Sequence, residues 1–447
     1  MAREKRKIAQ RVAGTASQPF PRGLICGLLA VYLALTGGYC ALIPVGLAPD
    51  ESAHLKYVQW LAEHRSFPVL HVGQEPAAAR ENAGYEAHQP PLYYLLAAPG
   101  YLAFRAWPDL APHLPLLLNL LISLVVIGAT YGFVRQFLPA QPRTAVAAAG
   151  ILAFVPMHLA LSASITNDIL AEAFFALTLW LLARHLRRAE KGEPDRGPAW
   201  VGVCCGLGIL TKSLCLLLLP VAWAGLLLAS QRDKGLDARA AARKIAIVTL
   251  LAALLGGPWL MRNQVRYGDP LAGRAFMAAF TDRPTPRTMM ENPSAPLSPL
   301  AYSLLVASWT YASFWGGGWH RLPPRSDYIF FPNWIYVLLG VIALASLGGF
   351  CRWLVRRRRE AWQRQGLLVS ALLTALVLAA FVRFNLQFFQ AQGRYLFPAL
   401  PVGAFIFATG FRSLFSTERD SPLALLPALG LALLSALALP LWILPDL

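Results

Sequence analysis

Charge is what this chain has little of. Only 14% of its 447 residues are Asp, Glu, Lys or Arg, where soluble domains carry roughly 25%. With 56% hydrophobic residues and a mean hydropathy of +0.48, that scarcity excludes a soluble globular protein. Cysteine is also sparse: six residues, all in or at the ends of apolar segments. None has zinc-ligand spacing and Cys204 and Cys205 are adjacent, so no disulfide framework is expected and the thiols read as small apolar residues. The chain also lacks an internal repeat, a low-complexity linker and a sizeable soluble domain. The first apolar run follows a long basic region and precedes many others, which argues against a cleaved signal.

What is present is a series of apolar runs near the length that spans a bilayer. They fall at about 24–43, 113–134, 144–161, 167–185, 242–261, 331–350, 365–383, 395–412 and 422–444, with a further hairpin at about 198–230. The expectation is an all-α polytopic membrane protein of about eleven spans, one membrane-embedded unit with interfacial Trp and Tyr anchors. The net charge of +17 raises nucleic acid as a partner, but its distribution opposes that. With the N-terminus in the cytoplasm, the cytoplasmic loops collect the whole excess and the outer loops balance, as the positive-inside rule requires. The clusters Arg184-His185-Leu186-Arg187-Arg188 and Arg356-Arg357-Arg358-Arg359 then read as topology signals and contacts to anionic membrane lipids. Four regions are expected: a basic cytoplasmic tail (1–23), a membrane core (24–265) with a helical outer loop (44–112), a second outer loop with interfacial segments (266–330), and C-terminal spans (331–447).

The polar residues concentrate on the outer side. Pro49-Asp50-Glu51-Ser52-Ala53-His54 follows the first span, and if a helix starts there Asp50 and His54 share a face. The simpler reading is that Asp50 caps that helix and Glu51 meets its dipole. Ser164-Ile165-Thr166-Asn167-Asp168 joins the third and fourth spans, again a natural cap, but Glu172 lies one turn deeper in hydrocarbon. A buried acid there is expensive unless it faces a cavity or a partner, which favours function. Lys212 interrupts the apolar hairpin, Arg262 follows the seventh span, and Arg394-Tyr395 opens the tenth. Each cation is either an interfacial anchor or a phosphate ligand. Trp319, in the aromatic and glycine-rich stretch Trp315–His320, suits stacking on a sugar or an interfacial belt equally. Acids and phosphate-binding cations on one outer surface point to sugar transfer from a lipid phosphate. The cations meet the leaving group and a carboxylate takes the attacking hydroxyl's proton. Nucleotide sugars are absent outside, so the fitting donor is a polyprenyl-phosphate-linked sugar.

At these residues the chain resembles the GT-C superfamily of polyprenyl-phosphate-sugar-dependent membrane glycosyltransferases, in the branch of protein O-mannosyltransferases and aminoarabinose transferases. Within it, Gln392-Gly393-Arg394-Tyr395 and Pro49–His54 look most like a bacterial family of predicted membrane proteins of unassigned function. The resemblance also rests on Pro90-Pro91-Leu92-Tyr93-Tyr94, Asn167-Asp168, Leu210-Thr211-Lys212 and Pro258-Trp259 with Arg262-Asn263. It implies a GT-C bundle with juxtamembrane helices in the first outer loop, and an inverting transfer to a hydroxyl on a glycan, lipid or protein. It further implies Asp50 as general base with Glu51 beside it, and Lys212 and Arg394 toward the donor phosphate; Asp168 is the other catalytic candidate, and the sequence does not choose between Asp50 and Asp168 as the base. His54, Arg262, Tyr395 and Trp319 complete the substrate-binding candidates. Members of the superfamily differ on a divalent metal, for which Asp50, His54 and Asp168 are the candidate ligands. The expected location is the cell's inner membrane, with the active site on the periplasmic or extracellular face. A lipid-linked saccharide transporter is the chief rival, disfavoured because the halves differ and the polar residues gather at one edge. A non-catalytic subunit of an envelope assembly is the third reading.

Overall fold

The computed structural model describes residues 20–71, 85–232, 235–320, 328–356, 359–415 and 420–446. Residues 1–19 of the basic tail and Arg357-Arg358 of the second cluster fall outside these. The described residues are almost all helical. In chain order the helices are α1 (Arg22–Leu42), α2 (Glu51–His64), α3 (Leu92–Ala103), α4 (His113–Phe137), α5 (Pro142–Phe154), α6 (Pro156–Ser162), α7 (Asp168–Glu190), α8 (Gly197–Ile209) and α9 (Leu218–Ala229). They continue with α10 (Ala238–Tyr267), α11 (Gly273–Ala279), α12 (Pro286–Met290), α13 (Pro299–Trp315), α14 (Asn333–Arg356), α15 (Ala361–Asn385), α16 (Leu400–Phe415) and α17 (Leu426–Ala438). Two small antiparallel pairs, Gln231–Arg232 with Gly235–Leu236 and Trp319–His320 with Tyr328–Ile329, are the described strands.

Eight of the described helical segments are long and apolar enough to cross a membrane, or nine with α5 and α6 taken as one bent span. The expected hairpin at 198–230 is present as α8 and α9, of 13 and 12 residues, with a 3-10 turn at Ser213–Leu217 between them. The 70° bend between α5 and α6 has a sequence cause. Pro156 has no amide proton and forces Val155 out of the helical region, to φ −60, ψ 120. Helix α10 starts where Asp237 accepts a hydrogen bond from the Ala240 amide (3.0 Å) and stops at Gly268, whose φ of 67 suits glycine.

The core follows from which helices bury which faces. Helix α7 is the most enclosed of the eight unbroken spans, the bent pair α5–α6 is buried along nearly its whole length, and α4, α8, α9 and α15 pack around α7. Helices α1, α10, α14 and α15 leave rows such as Leu250, Leu254, Leu344 and Leu368 exposed, as lipid-facing helices do. Helices α14 and α16 cross closely because Gly349 and Gly410 meet there; a Cβ on either would strike the other helix's backbone. Over one end lies a separate apolar cluster of Leu70, Ala87, Ala275, Ala279, Phe280 and Phe388. It joins the loop after α1, helix α11 after α10, and the segment before Gly393, and so forms a roof over that end of the bundle.

Candidate active site

Four charged side chains from distant segments converge beneath this roof. Asp50 stands just before α2 with a left-handed backbone (φ 63, ψ 2), and its side chain does not cap the helix. One carboxylate oxygen accepts from the Tyr85 hydroxyl (2.5 Å) and the other from Arg394 Nη2. Asp168, the first residue of α7, caps nothing either. It accepts from Lys212 Nζ on one oxygen and from Arg394 Nη1 (3.1 Å) on the other. The Arg394 guanidinium therefore bridges two carboxylates, and Lys212 closes the chain. Simple capping, the alternative open for both acids, is not what either side chain does.

Each position has a local cause. Arg394 sits in the 3-10 turn Gly393–Ala399 that opens the span continuing into α16. Gly393 is required there: its amide donates to Ser313 Oγ (2.8 Å), and a Cβ would drive into the Phe314 backbone. Gln392 Oε1 accepts from Arg394 Nε (2.6 Å) and orients the guanidinium plane. Lys212 sits where α8 ends and the hairpin turns. That turn is held by the Leu92 amide on the Leu210 carbonyl (2.9 Å) and by Asn167 Nδ2 on the Thr211 carbonyl (3.2 Å). Asn119 Nδ2 donates to the carbonyls of Ser164 (2.5 Å) and Thr166 (2.9 Å), fixing the loop before α7.

Glu51 does something different from its neighbour. Its buried carboxylate accepts from the backbone amides of Gly46 (2.7 Å), Ala48 (3.3 Å) and Ile165 (2.8 Å). That joins the loop after α1 to the loop before α7, and so sets Asp50 beside Asp168. His54 is buried one turn into α2, with Nδ1 2.8 Å from the Tyr94 hydroxyl and Nε2 3.5 Å from Thr166 Oγ1. Tyr395 lies under the Arg394 guanidinium, 5.0 Å from ring centroid to Cζ. Arg262 is turned elsewhere, donating to the Pro68 carbonyl (2.9 Å) and Asn263 Oδ1 (3.0 Å) over the Trp259 ring. The Trp319 backbone pairs with Ile329, and its side chain lies outside what is described.

Sequence reasoning did not single out Tyr85, Glu86 or the side chain of Gln392. Tyr85 and Glu86 belong to a short 3-10 turn, Tyr85–His88, that has no periodicity to announce it. The available signal was its place, just before Gln89-Pro90-Pro91 in the loop after α1.

Electrostatics separates the titratable groups between α1 and α3. Burial pushes the Asp50 carboxyl up, but the Arg394 charge and the Tyr85 hydrogen bond outweigh it and hold it below the usual carboxylate range. Burial lifts Glu51 above that range despite its three amide donors, and lifts Glu86 as well. Burial also favours the neutral forms of His54 and His88, the latter brought down to about 4. Beside the ion network is a cavity of about 20 Å³, water-sized, lined by Leu161, Asp168, Glu172, Lys212, Arg394 and Phe397 among others. Glu172, deeper in α7, pairs with His158 Nε2 at 3.1 Å.

The proposed metal ligands do not assemble into a metal site. Among the described residues no three His, Cys, Asp or Glu side chains are grouped to hold an ion. The guanidinium of Arg394 occupies the place between Asp50 and Asp168 where a cation would sit.

Comparison with known proteins agrees with this architecture. A family model described as dolichyl-phosphate-mannose-protein mannosyltransferase matches residues 89–261, less than half of the chain. No curated protein matches by sequence. ArnT from Cupriavidus metallidurans, in a structure bound to undecaprenyl phosphate, matches over 94% of this chain and 64% of its own, with 16% identity and a TM-score of 0.54. An oligosaccharyltransferase from Archaeoglobus fulgidus, tethered to an acceptor peptide, matches over 94% of this chain and 54% of its own, at 13% identity and a TM-score of 0.53. A further structure of that archaeal enzyme, a complex with Zn and sulfate, covers 94% of this chain and 52% of its own, with 16% identity and a TM-score of 0.52. The chain thus spans roughly half to two thirds of these proteins' length. The fold is that of the GT-C membrane glycosyltransferases, as the resemblance implied.

Proposed function

We propose that this protein transfers a sugar from a polyprenyl-phosphate donor to a hydroxyl acceptor, with inversion, at the outer face of the membrane. The observation that carries the reading is the bridge Asp50–Arg394–Asp168–Lys212, drawn from four segments to one edge of a GT-C fold. The two cations suit a phosphate whose charge grows as its bond to the sugar breaks. Asp50 takes the acceptor's proton as the acceptor oxygen attacks the anomeric carbon, and the bond's electron pair leaves with the phosphate. Asp50 is the better base of the two acids. Asp168 has both oxygens on cations and a side chain 15% exposed, whereas Asp50 meets one cation and one phenol and is 29% exposed. No step is routed through a metal, because two of the candidate ligands, Asp50 and Asp168, already hold Arg394.

The test uses purified protein in lipid vesicles with radiolabelled polyprenyl-phosphate sugars and cell-envelope extract as acceptor. Asp50→Asn is expected to lose label transfer while still binding undecaprenyl phosphate. Transfer equal to wild type would remove Asp50 as the base. Movement of the labelled lipid between leaflets, with no transfer by either protein, would favour the transporter.

A further inference from the structure

Glu86 stands beside the ion network and outside it, and, unlike Glu51 with its three amides, it has a side-chain oxygen that is buried without a partner. It stands in the turn Tyr85–His88, which is fixed on all sides. His88 Nδ1 donates to the Tyr85 carbonyl (2.9 Å), and the Gln89 amide to the Glu86 carbonyl (2.8 Å). The Tyr57 hydroxyl holds the Gln89 carbonyl (3.3 Å), and Ala87 is locked in the roof cluster. The Glu86 side chain is only 7% exposed, and its Oε2 is buried without a hydrogen-bond partner. Buried polar atoms nearly always have one. Its neighbour Tyr85 hydrogen-bonds Asp50 (2.5 Å), and the Glu86 carboxyl lies within electrostatic reach of His54, Asp50, Lys212 and Arg394. On the reading above, Asp50 is the acceptor's base and the two cations meet the donor's phosphate, so the sugar joined to that phosphate comes within reach of Glu86. Metal binding does not account for the orphaned oxygen, since the described residues offer no ligand group.

We propose that Glu86 is a substrate-contacting residue whose carboxyl hydrogen-bonds a hydroxyl of the donor sugar, so that its unpartnered oxygen is satisfied only when the sugar is bound. This rests on the glycosyl-donor reading above. A carboxyl suits the task because its two oxygens offer several acceptor positions, and in the protonated form that burial favours it also donates. It confers selectivity because a polar group built to meet a hydroxyl penalises a ligand that lacks it.

The experiment measures binding of full-length protein in nanodiscs to bare undecaprenyl phosphate and to a panel of undecaprenyl-phosphate hexoses and pentoses. Wild type is compared with Glu86→Gln and Glu86→Ala. Wild type should bind at least one sugar form more tightly than the bare lipid. Glu86→Ala should lose roughly tenfold of that preference, and Glu86→Gln, which keeps one acceptor and one donor, should lose less, with affinity for the bare lipid unchanged in both. Retention of the wild-type preference by Glu86→Ala would overturn the assignment. An equal loss for bare and sugar-bearing lipid would overturn it too, since a residue that only shapes the site weakens both. Wild type with no preference for any sugar form would remove the donor reading itself, and this assignment with it. Against misfolding of the variants, deoxy-sugar donors offered to wild type make the same test: one missing hydroxyl should reproduce the Glu86→Ala loss, and uniform binding across the deoxy series refutes it.

Discussion

Arg394→Gln is the substitution that most directly probes the bridge. The arginine side chain is 3% exposed and touches two carboxylates, so its removal strands Asp50 and Asp168 with Lys212 as the remaining cation. Breaking a buried pair by deleting one partner costs about 3–5 kcal/mol. Asp50 is 29% exposed and water screens it in part, so the lower end, about 3 kcal/mol, is the expectation. For chains of about 200 residues a kcal/mol moves the melting temperature by roughly 2–4 °C, and less for longer ones, so a fall of roughly 3–6 °C is expected. The thirteen tryptophans make intrinsic fluorescence in detergent a sufficient assay. The sharper measurement adds Asp168→Asn. The double variant keeps Asp50 and Lys212, one acid and one base, and regains neutrality. It should therefore be about 1–2 kcal/mol more stable than the sum of the single losses. If the double variant instead falls by that sum, within about 0.5 kcal/mol, the charges do not act as a unit and the bridge is not what holds this edge together.

Two further outcomes follow from the same geometry. Tyr85→Phe removes the hydrogen bond that helps hold the Asp50 carboxyl below its ordinary range. A carboxyl so held keeps its charge as pH falls; without the phenol it takes up a proton at higher pH. The acid limb of the sugar-transfer profile should move to higher pH, and a limb that stays in place or moves lower would contradict Asp50 as base. Gly393→Ala should sharply reduce the yield of folded protein, because its Cβ meets the Phe314 backbone, which cannot rotate away. Wild-type expression and melting would show that this approach is looser than it looks.

How much of this was legible beforehand depends on what each residue's environment makes expensive. Spans are one-dimensional features, and α1, α4, α7, α10, α14 and α15 lie where apolar runs of sufficient length lie. Asp50, Asp168, Lys212 and Arg394 stood out because a charge at the end of an apolar run needs a reason. Their mutual contacts were not legible, since Asp50 and Arg394 are 344 residues apart in the chain. Local rules misled at both acids. The Ser164–Asp168 stretch and Pro49-Asp50 look like caps, yet the backbone of Asp50 is left-handed and both side chains turn toward Arg394. Glu51, adjacent to Asp50, suggested a shared role, but the turn between them sends its carboxylate to three amides instead. Arg262, like Arg394 a cation at the end of an apolar run, went to the Pro68 carbonyl and the Trp259 ring. What separates the two is where in the membrane plane their helices stand. Counting spans assigns a residue to one edge of the bilayer, and all four bridge residues pass that test. Their place within the plane is set by helix packing: α7 at the centre, and the close Gly393–Phe314 approach that brings Arg394 in beside it. That second coordinate is written in small residues and interior faces, which carry no charge to draw attention to them.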